Sequence, residues 1–522
     1  MANNKNNSKN NKNNAKFHER IHKRKVRVSD VETGKLIVVL NEVDANEIDI
    51  FIADRIKLRY KGKELNVIVD TSKAGVQKGD VLIYAEAART LGAKSGETVE
   101  LEHLPTPASL EYIRKKMDRR TLTTDEIRSI VSETVENRLS EGELASFVAA
   151  AYINGFNIEE TVALSKAMVE TGQTLDLNVH PIADKHSIGG VAGNRTTMII
   201  VPILAAAGVY IPKTSSRAIS SATGTADTFE VLAPVVLPLD DLRKAVLKTK
   251  GCITWGGAIN LAPVDDKLIR IRNSLHLDPR GLLLASILGK KKAVGAEYLV
   301  VDIPIGRGAK IEDESEGKSL ANDFIQVGDK IAIKTRCLIS DGSDPIGWGV
   351  GPGLECKDVL EVLSGSGPYE LLDKGTLMAG SILEMVGKAP VGKGTEIALN
   401  IIKTGKAMDK LREIIEAQGG DPKVKIDDLP IGTFRYELKA EKAGRISHVD
   451  NRLISKIARA AGSPKDKGAG LIMHCEMGDK VEANQTLIEI VAESEEKLSF
   501  AIEMASALPP VEMQKMIFGK IE

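Results

Sequence analysis

Lys185 and Ser187 stand directly before a glycine turn built from Gly189, Gly190 and Gly193. An ammonium, a hydroxyl and backbone amides open to close approach are the parts of an anion nest. One crossover further along, Ser215, Ser216, Ser220, Ser221, Thr223 and Thr225 crowd around Arg217, with Asp227 and Glu230 after them. Hydroxyls in an α/β context need partners, and a bound oxyanion would supply them for the whole set. A glycine turn before a helix and a structural Ser/Thr turn are the plain alternatives. Neither segment closes on Gly-Lys-Ser/Thr or repeats Gly-x-Gly-x-x-Gly, so nucleoside-triphosphate hydrolysis and hydride transfer lose support. In a third constellation, Asp278 precedes Pro279, and Ser286 and Lys290 follow four residues apart on one helical face. Asp278 also reads as a simple N-cap, and Lys290 as a solvated lysine. Finally, the apolar run Tyr298 to Ile305 enters a glycine turn with Lys310 beyond it, at the end of a strand where function gathers in α/β sheets.

The elements that must position these residues follow from patterning. The apolar run Met198 to Ile211 predicts a crossover helix leading to a short strand, which puts both hydroxyl-rich segments at one edge of a parallel sheet. Residues 1–22 form an Asn/Lys-rich basic tail that buries nothing and reads as disordered and solvated, with the basic character continuing to Arg27. Short alternating runs over 23–104 predict an N-terminal β domain. In 105–180, Thr123 with Glu126 and Ser140 with Glu143 are capping-box signatures for two helix starts, giving an all-helical domain that about 262–293 should complete. Residues 181–433 alternate strands and helices, predicting an α/β phosphate-binding domain with a mainly parallel sheet. The stretch 434–522 returns to strand-like alternation with one helix, Asn451 to Ala461, as a C-terminal α+β domain.

With 522 residues the chain has room for about three domains. A formal net charge of -1 lacks the footprint of a nucleic-acid binder. Cys252, Cys337, Cys356 and Cys475 show no metal or redox spacing and read as reduced thiols of a cytoplasmic protein, and no run is long enough to span a bilayer.

The Asp184 to Val191 segment, the Ser216 to Asp227 segment and the Ser286/Lys290 helix together resemble the thymidine/pyrimidine-nucleoside phosphorylase family, in order from about Leu110 to the C-terminus. The β domain ahead of Pro105 is similar to the extended branch that contains AMP phosphorylases. The resemblance implies a nucleoside phosphorylase/phosphoribosyltransferase-like fold, in which a helical bundle and an α/β domain enclose a cleft that closes on substrate. It implies phosphate ligands at Lys185, Ser187, Ser216 and Thr225. It implies substrate contacts at Gly190, Ser216, Arg217, Ala218, Ile219, Ser220, Ser221, Thr225, Ser286, Lys290 and Lys310, with Asp278 as proton donor beside Lys185 in catalysis. Two positions depart from the pattern: Ile271, flanked by Arg270 and Arg272, stands where the nucleoside enzymes carry a base-binding arginine, and Trp348 stands where the extended branch is expected to carry another. The activity implied is reversible phosphorolysis of an N-glycosidic bond, of thymidine/pyrimidine type first, with inorganic phosphate as a co-substrate and with no metal or cofactor. A nucleoside 5'-monophosphate (AMP-type) phosphorylase giving ribose 1,5-bisphosphate is the alternative. An anthranilate-type phosphoribosyltransferase and a non-catalytic binding protein are more distant rivals. The partners expected are the small-molecule substrate and phosphate, with no nucleic acid and no membrane, in a homodimer or larger homo-oligomer.

Overall fold

The computed structural model describes residues 21–218, 221–259 and 261–514, so the Asn-rich tail and two residues of the second hydroxyl-rich segment, Ile219 and Ser220, lie outside the described residues. The chain divides into two compact units, one running to Ala167 and including Lys267–Arg280, the other comprising Met168–Asp266 and Gly281 onward.

In the first unit, β1 (Ile21–Ser29), β2 (Ile37–Asn41), β3 (Arg55–Tyr60), β4 (Lys63–Ser72), β5 (Asp80–Tyr84) and β6 (Thr98–His103) close into a barrel in the order β1-β5-β2-β4-β3-β6. Period-two alternation aims Val38, Leu40, Ile56, Leu58, Val67, Val69, Val81 and Ile83 inward. The barrel corrects one reading. His22 to Arg27, taken from its charge as part of a solvated tail, belongs to β1, where Val26 is buried and Lys23 and Arg24 pair with Glu100 and Asp44, both at 3.6 Å. Two short helices, α1 (Glu42–Glu47) and α2 (Ala85–Leu91), follow β2 and β5 and add Ala45, Ala87, Ala88 and Leu91 to the barrel's buried cluster.

Beyond the barrel come α3 (Ser109–Met117), α4 (Thr124–Val135), α5 (Glu141–Asn154) and α6 (Ile158–Glu170). Both capping boxes form: Thr123 with Glu126 opens α4, and Ser140 with Glu143 opens α5. Each satisfies two amides that a helix start leaves orphaned, a gain of about 1 kcal/mol apiece. A buried pair, Lys116 to Glu160 at 2.8 Å, ties α3 to α6.

The second unit is built on β7 (Ala183–Ser187), α7 (Thr196–Ala206), β8 (Ile211–Ser215), α8 (Thr225–Phe229), α9 (Leu239–Thr249), β9 (Gly251–Trp255), α10 (Pro263–Leu275, shared with the first unit), α11 (Arg280–Ala293), β10 (Tyr298–Ile305), α12 (Glu314–Lys330) and β11 (Lys334–Asp341). Strands β11, β10 and β7 are parallel neighbours, as are β8 and β9. A parallel bridge, Ile182 to Tyr210, joins the two groups, so the hydroxyl-rich segments leave adjacent strands at the same edge. The apolar crossover helix is α7, with Met198 to Ala205 buried despite Pro202 inside it. It is covered by α14 (Tyr369–Met385), α15 (Gly394–Lys403) and α16 (Lys406–Ala417), which follow β12 (Gly349–Val350) and α13 (Pro352–Ser364).

At the end of the chain, β13 (Phe434–Lys439), β15 (Gly470–Met473) and β17 (Thr486–Ala492) take β12 into one sheet, while β14 (Gly444–Val449), β16 (Lys480–Val481) and β18 (Val511–Met513) form another. Among the described residues two helices lie here, α17 (Asn451–Ala460) and α18 (Glu495–Ala507), where patterning gave only the first. The second was hidden because it buries only Ala501 and Ala505, too little for an apolar stripe. The stretch 262–293 also divides: Lys267–Arg280 stay with the bundle, but α11 belongs to the α/β unit, where Lys291 pairs with Asp184 of β7 at 2.7 Å.

Candidate active site

The first segment is half strand. Asp184 to Ser187 lie in β7, which buries Lys185 and sets its Nζ 3.1 Å from Thr196 Oγ1 at the start of α7. Burial pushes the Lys185 ammonium down to about 7, against the pull of Asp302 and Asp184 and with further depression from Lys374 and Arg195. Beside it, Ser187 Oγ donates to Asp302 Oδ2 at 2.8 Å. Asp302, fully buried in β10, also accepts from Ser340 at 2.6 Å and pairs with Lys374 at 3.0 Å. Its carboxyl is drawn below the ordinary range; burial opposes that shift, and Lys374 and Ser340 outweigh it. A serine hydroxyl has one proton, so to donate to an anion Ser187 must release Asp302.

Past the strand, Gly190 has φ +92°, and a Cβ there would sit 2.5 Å from the amide nitrogen of Lys310. The glycine therefore lets the first loop close against the turn after β10, which brings Gly190 and Lys310 together. Lys310 is exposed on that turn.

The second segment leaves β8 at Ser215. Its pivot is Asp227, whose Oδ2 accepts from the amides of Ala218 at 2.7 Å and Gly224 at 3.0 Å. Arg217 bonds Asp227 at 2.9 Å and Glu230 at 2.6 Å, and stacks 5.1 Å from the Trp255 ring centroid. The Arg217 guanidinium is thus engaged by two carboxylates of its own loop. A Cβ on Gly224 would strike the Ser216 carbonyl at 2.5 Å, so Ser216 lies directly against the start of α8, where Thr225 is the first residue. Ser221 Oγ is turned onto the Thr223 carbonyl at 2.6 Å. Arg195 links the two loops: it donates to the Thr223 carbonyl while its other edge meets Glu355 of α13.

Ser286 and Lys290 share one face of α11, and both reach Asp265, through Ser286 Oγ at 2.8 Å and Lys290 Nζ at 2.5 Å to the same Oδ2. Spacing found the pair but not its carboxylate partner. Asp278 belongs to the first unit and differs from its expected place. The helix starts at Arg280 rather than at Pro279, and the Asp278 carboxylate is engaged by Arg272 Nη2. Ile271, at the departing position, is buried, as is its neighbour Arg272, while Arg270 is exposed. Trp348 is 45% exposed, and its amide donates to Asp358 at 2.7 Å.

Asn194, whose Oδ1 accepts from Thr196 Oγ1 at 2.9 Å, joins Asp302, Lys374, Ser340 and Asp265 as residues that contact the candidate site and that sequence reasoning passed over. For Asp302 a signal existed: one carboxylate inside the otherwise apolar strand Tyr298–Ile305 demands a buried cation. Among the described residues no three His, Cys, Asp or Glu side chains gather as a metal site. No helix among them is long and apolar enough to cross a membrane.

Three family models match the chain: the glycosyl transferase family helical bundle domain over residues 110–172, the glycosyl transferase family a/b domain over 179–408, and the pyrimidine nucleoside phosphorylase C-terminal domain over 445–510. An AMP phosphorylase of Pyrococcus furiosus is 47% identical over 501 residues, covering 95% of this chain and 99% of its own. One from Thermococcus sibiricus is 44% identical, covering 96% and 99%. Among solved structures, anthranilate phosphoribosyltransferase from Thermus thermophilus superposes with a TM-score of 0.52 at 18% identity, over 59% of this chain and 98% of that one, a likeness of fold. The chain therefore belongs to the thymidine phosphorylase family of pentosyltransferases, in its AMP phosphorylase branch.

Proposed function

We propose that the protein catalyses phosphorolysis of a nucleoside 5'-monophosphate of AMP type, releasing free base and ribose 1,5-bisphosphate. The observation that carries this is full-length similarity to proteins named AMP phosphorylase, N-terminal barrel included. The thymidine/pyrimidine reading, placed first on sequence motifs alone, gives way to it.

In this mechanism phosphate lies against Lys185, Ser187, Ser216 and Thr225, and one of its oxygens attacks the anomeric carbon as the base departs through an oxocarbenium-like state. Catalysis comes chiefly from positioning and from charge held ready in a dry site. Lys185 supplies the buried charge, and a bound anion restores the ammonium that burial disfavours. Ser187 rotates from Asp302 onto phosphate. The base rests at Ser286 and Lys290, and Asp278, once parted from Arg272 and protonated from solvent, delivers that proton to the departing base. The substrate's own 5'-phosphate falls to the second segment and Lys310, with Arg217 shaping that loop through Asp227 and Glu230. No metal takes part in this scheme. We place the enzyme in the cytoplasm, as a homodimer or larger homo-oligomer.

The test is phosphate-dependent base release from AMP, CMP, UMP, thymidine and uridine, with the sugar product identified. AMP turnover with a bisphosphate product supports the proposal. Activity confined to nucleosides, with ribose 1-phosphate as product, overturns it.

A further inference from the structure

Asp265 has a feature that its role in holding Ser286 and Lys290 does not use. The residue is 1% exposed, and both contacts fall on Oδ2, whereas Oδ1 is buried with no hydrogen-bond partner. A carboxylate can only accept, and a buried oxygen left without a donor is destabilising. The donor that completes this corner is an N–H or O–H, supplied by water or by a ligand group that takes the water's place. Lys290 already balances the charge through Oδ2, so what Oδ1 selects for is a hydrogen-bond donor rather than a second cation.

We infer that Asp265 is a specificity-determining residue whose Oδ1 accepts the exocyclic amino group of a 6-aminopurine. The inference rests on the proposed function, which places the base at Ser286 and Lys290. Adenine carries an NH2 group at C6, which gives Oδ1 its donor. Hypoxanthine and guanine carry a carbonyl oxygen at the same corner, which sets lone pair against carboxylate and leaves both oxygens unpaired. Purine without a 6-substituent supplies nothing and lies between the two.

The experiment compares kcat/KM for AMP, IMP and purine-riboside 5'-monophosphate at saturating phosphate, in the wild type and in Asp265→Asn. A site built around a donor discriminates by about 10⁴-fold against an analogue lacking it, so AMP should exceed IMP by that order in the wild type. In Asp265→Asn the amide can turn its NH2 toward a 6-oxo group, and the AMP/IMP ratio should fall at least a hundredfold. Equal losses on all three substrates would mean that Asp265 only orients Ser286 and Lys290, and would overturn the inference. Comparable AMP and IMP rates in the wild type would overturn it as well. Should the variant fail to fold, product inhibition of the wild type by adenine against hypoxanthine gives the same discrimination without a substitution. An adenosine against inosine series separates the two hypotheses. If only nucleosides are cleaved, the nucleotide reading falls, and the adenosine/inosine ratio still decides the role of Asp265.

Discussion

Replacing Asp302 by Asn should weaken phosphate binding without removing any residue assigned to phosphate. The amide keeps the volume and one acceptor for Ser187 or Ser340, but it loses the charge that Lys374 meets at 3.0 Å. At that separation the attraction is about 5 kcal/mol for an effective dielectric near 20, and breaking a buried pair leaves a net loss of about 3–5 kcal/mol. The variant should therefore melt several degrees lower while remaining folded at room temperature. The larger consequence falls on Lys185, because Asp302 is the foremost of the charges opposing its desolvation. The Lys185 ammonium titrates at about 7, so it is roughly half charged at neutral pH. Removing a negative neighbour lowers that value further. A loss of one pH unit cuts the charged fraction at pH 7 from about a half to about a tenth, which corresponds to phosphate binding weakened roughly fivefold.

The assay is the phosphate KM from pH 5.5 to 9 with nucleotide saturating, taken as the ratio of variant to wild type so that the ionisation of phosphate itself cancels. In the wild type KM should climb once pH passes about 7, and in Asp302→Asn the climb should begin near 6. A variant whose phosphate KM matches the wild type at pH 7 and whose profile breaks at the same pH would refute the coupling between Asp302 and Lys185.

Lys185→Met should abolish phosphorolysis without destabilising the fold at pH 6. Because the native lysine titrates at about 7 and the unfolded one near 10.5, the unfolded chain binds more protons between those values; wild-type stability is lowest below 7 and rises toward pH 10, a slope the methionine variant lacks when melting is followed against pH. Gly190→Ala combines a φ of +92° with a Cβ 2.5 Å from the Lys310 backbone, so it should cost at least about 2 kcal/mol in chemical unfolding and raise KM for both substrates. Asp227→Ala frees the Ala218 and Gly224 amides and the Arg217 guanidinium together, and should lower kcat/KM by at least about a hundredfold with a stability loss near 2–4 kcal/mol; near-normal turnover would show that the second loop needs no pivot.

Much of the fold was legible wherever the signal is local. Thr123/Glu126 and Ser140/Glu143 announce their helices because a capping box is satisfied within four residues. The run from Met198 announces α7 because a helix buried all round has no polar face to mask it. The pairing of Ser286 with Lys290 follows from one helical turn. Long-range pairing was not legible. Asp265 lies 21 positions from Ser286, Ser340 lies 38 from Asp302, and no spacing rule connects them. Composition misled at His22 to Arg27, because a barrel strand rich in cations reads like a tail until its neighbours, Glu100 and Asp44 among them, are known. Pro279 misled at Asp278, since proline suits both the first turn of a helix and the residue just before it.

The buried charges around Lys185 set how the site would respond to an anion. Lys185, Lys213, Lys291 and Arg195 are buried, with Lys374 nearly so, against the buried carboxylates Asp184, Asp302 and Glu355. Cations outnumber anions, and the imbalance is relieved by depressing lysines: burial pushes down both Lys185 and Lys291. A phosphate dianion entering this field reverses that shift, since an opposite charge at contact distance favours the ammonium. Phosphate binding should accordingly take up protons, approaching one per site at pH 8 from Lys185 alone. Titration calorimetry in buffers of different ionisation enthalpy measures this as the slope of observed heat against buffer heat. A positive slope at pH 8 that shrinks toward pH 6 and vanishes in Lys185→Met is the expected pattern. A flat line at pH 8 would mean that Lys185 is already charged in the empty protein, and that burial is offset by its neighbours before phosphate arrives.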